Sequence, residues 1–262
     1  MDTFDELLLR AIDDPISRYL WYKTLMDREL VVIGSVAQAQ DESVSDDAEV
    51  PELQVKYVET DEATVLPVFT SLDKFREVFA SHHTYVRIPA PMLLDVTEPK
   101  SLWVLNPGIG PGKTIIPEEL SGLRDGSLLN LCWEQLSEQE QKRLLEEQWT
   151  ALPEDAIDVI AARLQDEPSV RRAYIAYLYH PSSIGKAVPI VGLELEESDR
   201  ESAEKLIGSL KVRLQQFMGE LSIEWIVLDH SYSLARSIVQ HKQPFYDREL
   251  DREAESSQAT FR

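Results

Sequence analysis

Residues 65–79 have the sequence VLPVFTSLDKFREVF, in which an apolar run passes directly into an amphipathic segment. Val65 to Thr70 predicts a strand. Ser71 is the expected N-cap of a following helix, because its hydroxyl can accept a hydrogen bond from a free amide of the first turn. The side chains expected to face inward from this helix are Leu72, Phe75, Val78 and Phe79. A strand that leads into a packed helix indicates a mixed α+β fold.

Two short helices and two further strands are predicted on the N-terminal side of this stretch. Asp14-Pro15 separates the helices, because proline cannot continue the first of them. Leu30 to Ser35 predicts one strand, and the alternation from Leu53 to Tyr57 predicts the other.

Residues 38–52 contain six aspartates and glutamates and no basic residue. Since such a segment cannot offset its ordering entropy by burial, we predict a flexible acidic loop there.

On the C-terminal side, strands are predicted from Tyr85 to Ile88 and from Leu102 to Leu105. A short helix is expected between them, after Pro89-Ala90-Pro91. The second strand must end at Asn106-Pro107-Gly108, because asparagine, proline and glycine in this order form a turn. The N-terminal part of the chain is therefore expected to contain a mixed sheet with short helices.

The composition changes at Arg124 to Ser127, where polar, turn-forming residues lie between two apolar segments. We therefore predict an N-terminal domain at residues 1–126, including the acidic loop at 38–52, and a C-terminal domain at residues 127–247. Residues 248–262 are charged and have little to bury, so a disordered tail is predicted. Both domains are predicted to be small mixed α/β domains, and the fold class is α+β.

The predicted elements of the C-terminal domain follow the order strand, helix, strand, strand, helix, strand. The strands are predicted at Leu128 to Trp133, Val170 to Tyr179, Val188 to Leu195 and Ile223 to Leu228. Capping boxes at Ser137 to Glu140 and at Ser198 to Glu201 are expected to begin helices before the second and the fourth strand. This order is that of a ferredoxin-like split βαβ sandwich, which we predict for this domain.

Composition and charge exclude several classes of protein. The formal net charge is −21, so nucleic acid and anionic membrane surfaces would be repelled and neither is expected as a partner. No apolar run approaches the length that spans a bilayer, and Asp2, Asp5 and Glu6 stand where a secretory signal carries basic residues. Cys132 is the only cysteine, so no intramolecular disulfide can form. A cytoplasmic location is therefore predicted.

Residues 108–114 have the sequence GIGPGKT, which is similar to the glycine-rich loop that holds nucleotide phosphates. The spacing differs from that loop, because the position five residues before Gly112 is Pro107 and not glycine, and Pro111 removes a backbone donor. A turn that joins two strands explains the same residues. A nucleotide-dependent enzyme that uses Lys113 is the alternative.

Four other patterns also favour structural interpretations. Asp229-His230-Ser231 contains the residue types of a hydrolase triad, but consecutive side chains diverge, and Ser231 is expected to cap a helix. The five histidines lack the spacing of a metal pair, and Cys132 in an apolar strand is expected to be a small buried hydrophobe. The acidic loop lacks the glycine and the terminal glutamate of an EF-hand. The sequence predicts no catalytic residue, no cofactor and no metal ligand.

Aromatic residues of the C-terminal domain are candidates for an interaction surface. Tyr177 and Tyr179 share one face of their predicted strand and Tyr174 lies on the other, so one aromatic side is available as an interface anchor. Packing in the core is the alternative, and we expect it for two of the three tyrosines. Phe245 and Tyr246 lie just before the charged tail, where docking on their own domain is expected to hold them.

Several of these segments, in this order, resemble the SseB family, which is named for the enhanced serine sensitivity of cells that carry extra copies. The N-terminal part of the resemblance rests on Leu66 to Ser71 and on Leu102 to Gly108, and it covers about residues 20–125. The C-terminal part covers about residues 150–247. It rests on Leu152 to Glu154, Pro168 to Val170, Ala173 to Ala176 and Pro244 to Tyr246.

The resemblance implies a two-domain bacterial protein of the cytoplasm, without an established activity, cofactor or catalytic residue, in which the Asn-Pro-Gly turn is structural. We therefore predict a non-catalytic interaction or regulatory protein that has a protein partner. A link to amino-acid metabolism follows from the family name alone. An acidic, chaperone-like or immunity-like protein that binds a basic partner is the alternative. The sequence leaves the oligomeric state open.

Overall fold

The computed structural model of the protein describes residues 3–37, 52–61, 63–79, 83–146, 152–179, 187–196, 200–218 and 223–250. The chain divides into two compact units, Met1–Cys132 and Trp133–Arg262. The division lies inside a helix, six residues beyond the boundary expected at residue 126. The predicted acidic loop lies outside the described residues, except for Glu52, which begins a strand.

The N-terminal unit contains a mixed sheet and short helices, as predicted. Its strands are β1 (Glu29–Ala37), β2 (Glu52–Val55), β3 (Val58–Glu59), β4 (Thr64–Phe69), β5 (Tyr85–Pro89), β6 (Leu102–Leu105) and β7 (Lys113–Ile115). Its helices are α1 (Thr3–Arg10), α2 (Pro15–Met26), α3 (Leu72–Val78), α4 (Ala90–Val96) and α5 (Pro117–Arg124), followed by α6 (Ser127–Glu134) at the division.

The strands of this sheet have the order β2-β1-β4-β6-β7, with β3 paired to β4 and β5 paired to β1. Strands β4 and β6 are parallel, and the other pairs are antiparallel. Alternation along β1 directs Val31 and Ile33 to a cluster with Phe69 and Phe75, against which α3 packs. Leu30 and Val32 point to the other face and are fully buried there, so both faces of the sheet are covered.

The C-terminal unit is a four-stranded sheet with helices on both faces. Its helices are α7 (Glu138–Glu146), α8 (Glu154–Gln165), α9 (Arg200–Met218) and α10 (Ser233–His241), and its strands are β8 (Val170–Tyr179), β9 (Ala187–Leu195), β10 (Glu224–Val227) and β11 (Pro244–Asp247). Buried side chains of α8 and α9 pack on one face of the sheet, while α7 and α10 contact β8 on the other.

The α+β class is confirmed, but the ferredoxin-like topology is wrong. The predicted first strand, residues 128–133, belongs to helix α6. The strands lie in the order β10-β9-β8-β11, with β10 parallel to β9 and the other pairs antiparallel. The chain order is therefore strand, strand, helix, strand, helix, strand, and it ends in β11, which the sequence did not predict.

Local signals in the sequence correctly located several helix starts. Asp14 and Ser71 cap α2 and α3 by accepting hydrogen bonds from the amides of Ser17 and Lys74. The first capping box is present, since the Ser137 amide donates to Glu140 over 2.7 Å and the Glu140 amide donates to the Ser137 hydroxyl over 3.3 Å. The second capping box begins outside the described residues.

Candidate functional site

A groove in the N-terminal unit lies between helix α3 and the neighbouring strands β1 and β5, and we call it the α3 groove. Its volume is about 480 Å³. It is lined by Glu29, Val31, Thr70, Ser71, Leu72, Asp73, Arg76 and Arg87. The groove exists because α3 is a single short helix, which covers the cluster around Phe75 and leaves the end of this sheet face open.

Two arginines of the α3 groove have no partner in the described part of the chain. Arg76 lies on α3, and Arg87 lies on β5 directly opposite Val31 of β1. Both side chains are exposed, and neither makes an ion pair or a side-chain hydrogen bond within the described residues. An unpaired guanidinium presents a planar set of donors that suits a carboxylate or a phosphate. The sequence did not indicate this site, because Arg76 and Arg87 reach one groove only through the packing of α3 on the paired strands β1 and β5.

A cluster of aromatic side chains from α3, β5 and the segment between them neighbours the lining residues Arg76 and Arg87 in sequence, and we call it the aromatic rim. The ring centroids of Phe75 and Tyr85 are 5.5 Å apart, those of Phe75 and Phe79 are 5.3 Å apart, and those of Phe79 and His83 are 5.1 Å apart. Phe75 is buried, whereas 41% of Tyr85 is exposed, and His83 is also exposed. The cluster therefore extends from the core to an aromatic surface beside the two arginines.

A buried hydrogen-bond network connects the first turn of α3 to the turn after β6 and to α1. The side-chain oxygen of Asn106 accepts hydrogen bonds from the Thr70 amide at 3.0 Å and from the Thr70 hydroxyl at 3.1 Å. The ammonium of Lys74 donates to the Thr70 hydroxyl at 3.1 Å and pairs with Asp5 at 2.6 Å. Asp5, Thr70 and Asn106 are each at least 95% buried. The Asn-Pro-Gly turn thus holds the start of α3 in place.

The glycine-rich segment joins two strands, as the structural interpretation predicted. Strands β6 and β7 pair on either side of it, and Gly108 and Gly110 have φ angles of +78° and +54°. Lys113 lies in β7 and not at the start of a helix, and its ammonium is 2.9 Å from Glu119. This geometry differs from that of a phosphate-binding loop, in which the lysine opens a helix.

Glu119 also accepts a hydrogen bond from the hydroxyl of Tyr22. Burial, together with this bond and the charge of Glu119, raises the pKa of Tyr22 far above its usual range. Burial acts to raise the pKa of Glu119, but the hydrogen bonds from Tyr22 and Lys113 outweigh it and hold this pKa below its usual value. Lys113 is therefore committed to a structural contact that joins β7 with α5 and α2.

The aromatic residues predicted as an interaction surface are mostly buried. Tyr174, Tyr177 and Tyr246 are each at most 8% exposed, and Phe245 is half-buried. The Tyr177 hydroxyl accepts a hydrogen bond from the Leu152 amide, and the Tyr246 hydroxyl donates to the Leu164 carbonyl. The side chain of Tyr179 lies outside the described residues. Tyr174 and Tyr177 are thus packed in the core, as expected for two of the three strand tyrosines, and Tyr246 docks on its own domain.

A row of charged groups crosses the sheet of the C-terminal unit. Arg172 of β8 donates to Asp247 of β11 at 2.7 Å, and the Tyr174 hydroxyl is 3.2 Å from Glu194 of β9. His230 lies 3.4 Å from the other oxygen of Glu194. Burial acts to raise the pKa of Asp247, but the hydrogen bond from Arg172 outweighs it and holds this pKa below its usual value. The Arg172–Asp247 contact joins β8 to β11, and the Tyr174–Glu194 contact joins β8 to β9.

The tail begins with an ordered residue. Arg248 is 93% buried, donates a hydrogen bond to the Pro168 carbonyl and contacts the carboxylate of Glu196. Residues 248–250 are helical, so the expectation of disorder beyond Asp247 is wrong for these three residues. The remainder of the predicted disordered tail lies outside the described residues.

The weaker sequence patterns have structural roles where the structure describes them. Asp229 accepts a hydrogen bond from the Ser231 amide in a turn after β10. Helix α10 begins at Ser233 with Tyr232 as N-cap, so the predicted cap at Ser231 is wrong. Cys132 is buried, as expected, but in a helix and not in a strand, and burial raises the pKa of its thiol. Among the described residues, no group of three histidines, cysteines or carboxylates is placed to hold a metal ion.

The fold and the groove define a two-domain α+β protein in which each domain has its own sheet and core. The family profiles of the SseB protein N-terminal domain and the SseB protein C-terminal domain match residues 5–122 and 138–248. The chain belongs to the SseB family.

Two curated relatives, both named Protein SseB, come from Escherichia coli (strain K12) and Shigella flexneri. Each is 26% identical over 246 residues, which are 93% of this chain and 91% of the relative. No solved structure matches the chain. No helix in the described ranges has the length and apolar character needed to cross a membrane.

Proposed function

We propose that this protein is a non-catalytic interaction or regulatory protein of the cytoplasm and that the α3 groove, with its aromatic rim, contacts a partner protein. The observation that carries the proposal is the combination of exposed aromatic rings with two unpaired arginines at one place. Aromatic residues and arginine are the side chains enriched at the energetic centres of protein interfaces.

The contacts that hold the groove residues in place strengthen this proposal. The Asn106 network fixes the first turn of α3, and the contact of Phe75 with Tyr85 fixes the rim. A surface whose backbone is held in this way loses little conformational entropy when a partner binds. The outer aromatic residues also remain partly exposed at a cost in hydration free energy, which a partner would recover by covering them.

The overall charge favours a second candidate, in which an acidic surface binds a basic partner. The net charge of −21 would speed the association of such a partner, and added salt would slow it markedly. The two candidates differ in the part of the surface they need, because the second does not require Arg76 or Arg87.

The test is affinity purification from the native cell with matched variants. Arg76→Ala with Arg87→Ala changes the groove, and Lys211→Ala with Arg213→Ala removes the same charge from exposed positions of α9. We expect the wild type and the α9 variant to retain a stoichiometric partner that mass spectrometry identifies, and the groove variant to lose it. The purified partner must then bind the purified protein with the same pattern.

A partner that the groove variant retains would contradict the assignment of the site. If only the bait is recovered and the pure protein shows a measurable turnover, the non-catalytic function is wrong. A partner that both variants retain, and that dissociates as salt rises, would instead support the basic-partner candidate.

A further inference from the structure

Strand β5 leaves one backbone edge open beside the α3 groove. It pairs with β1, and no second strand pairs with it within the described part of the sheet. At the two ends of this pairing, the Gly34 amide donates to the Thr84 carbonyl and the Ala90 amide donates to the Arg28 carbonyl. Residue pairs that are hydrogen-bonded alternate with pairs that are not in an antiparallel ladder. Tyr85 and Arg87 belong to the pairs that are not, so their backbone N–H and C=O groups point away from β1.

The side chains along this edge face the α3 groove. Arg87 lies opposite Val31, whose side chain packs with Phe69 and Phe75 beneath α3, and Tyr85 shares the face of Arg87. Tyr85, Arg87 and Pro89 are all exposed. Pro89 has no amide proton, so pairing along the edge would end there. The edge therefore offers a short, bounded stretch for one added strand.

The one charged residue of β5 is Arg87, although the whole chain is acidic. The α3 groove also contains Glu29 and Asp73, but Glu29 lies on β1, one strand further from the edge. An added strand would lie about 4.8 Å from β5 and about twice as far from β1. The added strand would therefore lie closer to Arg87 than to Glu29.

Arg76 of α3 lines the groove together with Arg87. It is in the turn of α3 between Phe75 and Phe79, whose rings contact Tyr85 and His83. Asp73 lies one turn earlier, next to the end of β4. At physiological ionic strength charges are screened beyond about 8 Å, so the charges that act on an added strand are those of the groove itself, and Arg87 is the one on the strand that it would join.

We propose that the edge of β5 binds an extended acidic peptide segment of the partner protein by adding it to the sheet as a strand. Its backbone pairs with Tyr85 and Arg87, a carboxylate contacts Arg87 and Arg76, and a neighbouring side chain on the same face packs on Tyr85. Peptides commonly bind to sheet edges in this way, with the main chain supplying affinity and alternate side chains supplying specificity. This inference rests on the proposed function and adds the chemistry of the partner.

The first experiment measures fluorescence anisotropy of the full chain with a labelled ten-residue peptide of alternating threonine and glutamate. We expect saturable binding of this peptide and none of a matched peptide with lysine in place of glutamate. Arg76→Glu with Arg87→Glu should weaken binding by about tenfold or more, because two charge-assisted contacts become repulsive. Lys211→Glu with Arg213→Glu makes the same change in net charge on α9 and should leave the affinity within about twofold.

The second experiment measures amide hydrogen exchange of the full chain at a saturating concentration of the same peptide. We expect the amides of Tyr85 and Arg87 to exchange at least about tenfold more slowly when the peptide is bound, because they become hydrogen-bonded. Binding that leaves both exchange rates unchanged would show attraction by charge alone and would overturn strand addition. Circular dichroism of both variants checks that a loss of binding is not a loss of fold.

The outcomes separate this inference from the proposed function. If the acidic peptide does not bind while the native partner is still lost by the groove variant, the partner chemistry is wrong and the groove stays the contact site. If the lysine peptide binds more tightly than the glutamate peptide, strand addition of an acidic segment is overturned in favour of a basic partner. If the groove variant retains the partner, the site itself is wrong.

Discussion

At the scale of single residues, Asn106 combines an unusual backbone conformation with buried hydrogen bonds. Its φ angle is +49°, the left-handed region that only glycine adopts freely and that asparagine tolerates better than most residues. Its side chain accepts the hydrogen bonds of the Thr70 amide and hydroxyl, and its amide donates to the Val68 carbonyl. One residue therefore connects the turn after β6 with the end of β4.

We expect Asn106→Ala to destabilise the N-terminal unit by about 2–4 kcal/mol, because the Thr70 amide loses its acceptor and alanine is strained in the left-handed region. Asn106→Gly should cost less, since glycine relieves the strain but does not restore the acceptor. Hydrogen exchange of the slowest amides of β4 and β6 measures both changes within this unit. Equal losses for the two variants would show that the backbone conformation contributes nothing.

The sequence revealed residue roles that depend on near neighbours and missed those that depend on the tertiary fold. Ser71 and the pair Ser137 and Glu140 were recognisable because a cap lies within three residues of the amide that it satisfies. Asn106 and Thr70 are 36 residues apart, and Arg76 and Arg87 meet only across a helix and a strand pair. No local pattern contains such a pairing.

At the scale of elements, helix α6 shows why a short apolar run is ambiguous. Residues 128–133 were predicted as a strand because five of the six are apolar. The buried positions Cys132, Trp133 and Leu136 recur at three- and four-residue spacing, which is the period of a helix and continues past the predicted strand. A longer window would have favoured the helix.

Strand β1 depends on a glycine where it changes partners. Gly34 pairs with Val55 of β2, and a Cβ atom at Gly34 would lie 2.5 Å from the carbonyl oxygen of Gln54. The Gln54 carbonyl oxygen is a backbone atom, so it cannot move away from the new Cβ as the end of a flexible side chain could. We therefore expect Gly34→Ala to destabilise the β1–β2 pairing by about 1–3 kcal/mol. The exchange rate of the Lys56 amide, which donates to the Ile33 carbonyl, measures the opening of this pairing.

Gly208→Ala is the matched control for this substitution. A Cβ atom at Gly208 in α9 would meet no atom within 4 Å, so alanine should stabilise the helix by about 1 kcal/mol. If Gly34→Ala left the Lys56 amide as protected as Gly208→Ala does, the close approach of Gln54 would have no energetic consequence.

At the scale of the whole molecule, the sequence predicted two α+β domains but not how their strands are ordered. Hydrophobic spacing indicates that a strand exists, whereas its neighbours depend on contacts between distant residues. Strand β11 follows β10 and α10 in the chain yet pairs with β8, on the opposite edge from β10. The salt bridge of Arg172 with Asp247 fixes that pairing over 75 residues, a distance at which sequence spacing carries no signal.

The last residues of helix α6 are hydrogen-bonded to the C-terminal unit. Trp133 is fully buried, and its ring N–H donates to the Ser237 hydroxyl at 3.0 Å. That hydroxyl donates to the side chain of Gln141 at 2.8 Å, whose amide donates back to the Trp133 carbonyl at 3.0 Å. This closed ring of hydrogen bonds connects the end of α6 to α7 and α10. The family profile of the C-terminal domain starts after α6, at residue 138.

We therefore expect a fragment of residues 127–262 to be more stable than one of residues 137–262. Loss of the Trp133 side chain leaves a cavity among α6, α7 and α10 and removes the hydrogen bond that the Ser237 hydroxyl accepts, at a cost of about 3–5 kcal/mol. Thermal unfolding followed by circular dichroism should show a transition about 10 °C lower or more for the shorter fragment. Ser237→Ala in the longer fragment, which removes only the hydrogen bonds, should cost about 1 kcal/mol. Equal transition temperatures for the two fragments would mean that α6 contributes nothing to this unit and that the unit begins at Ser137.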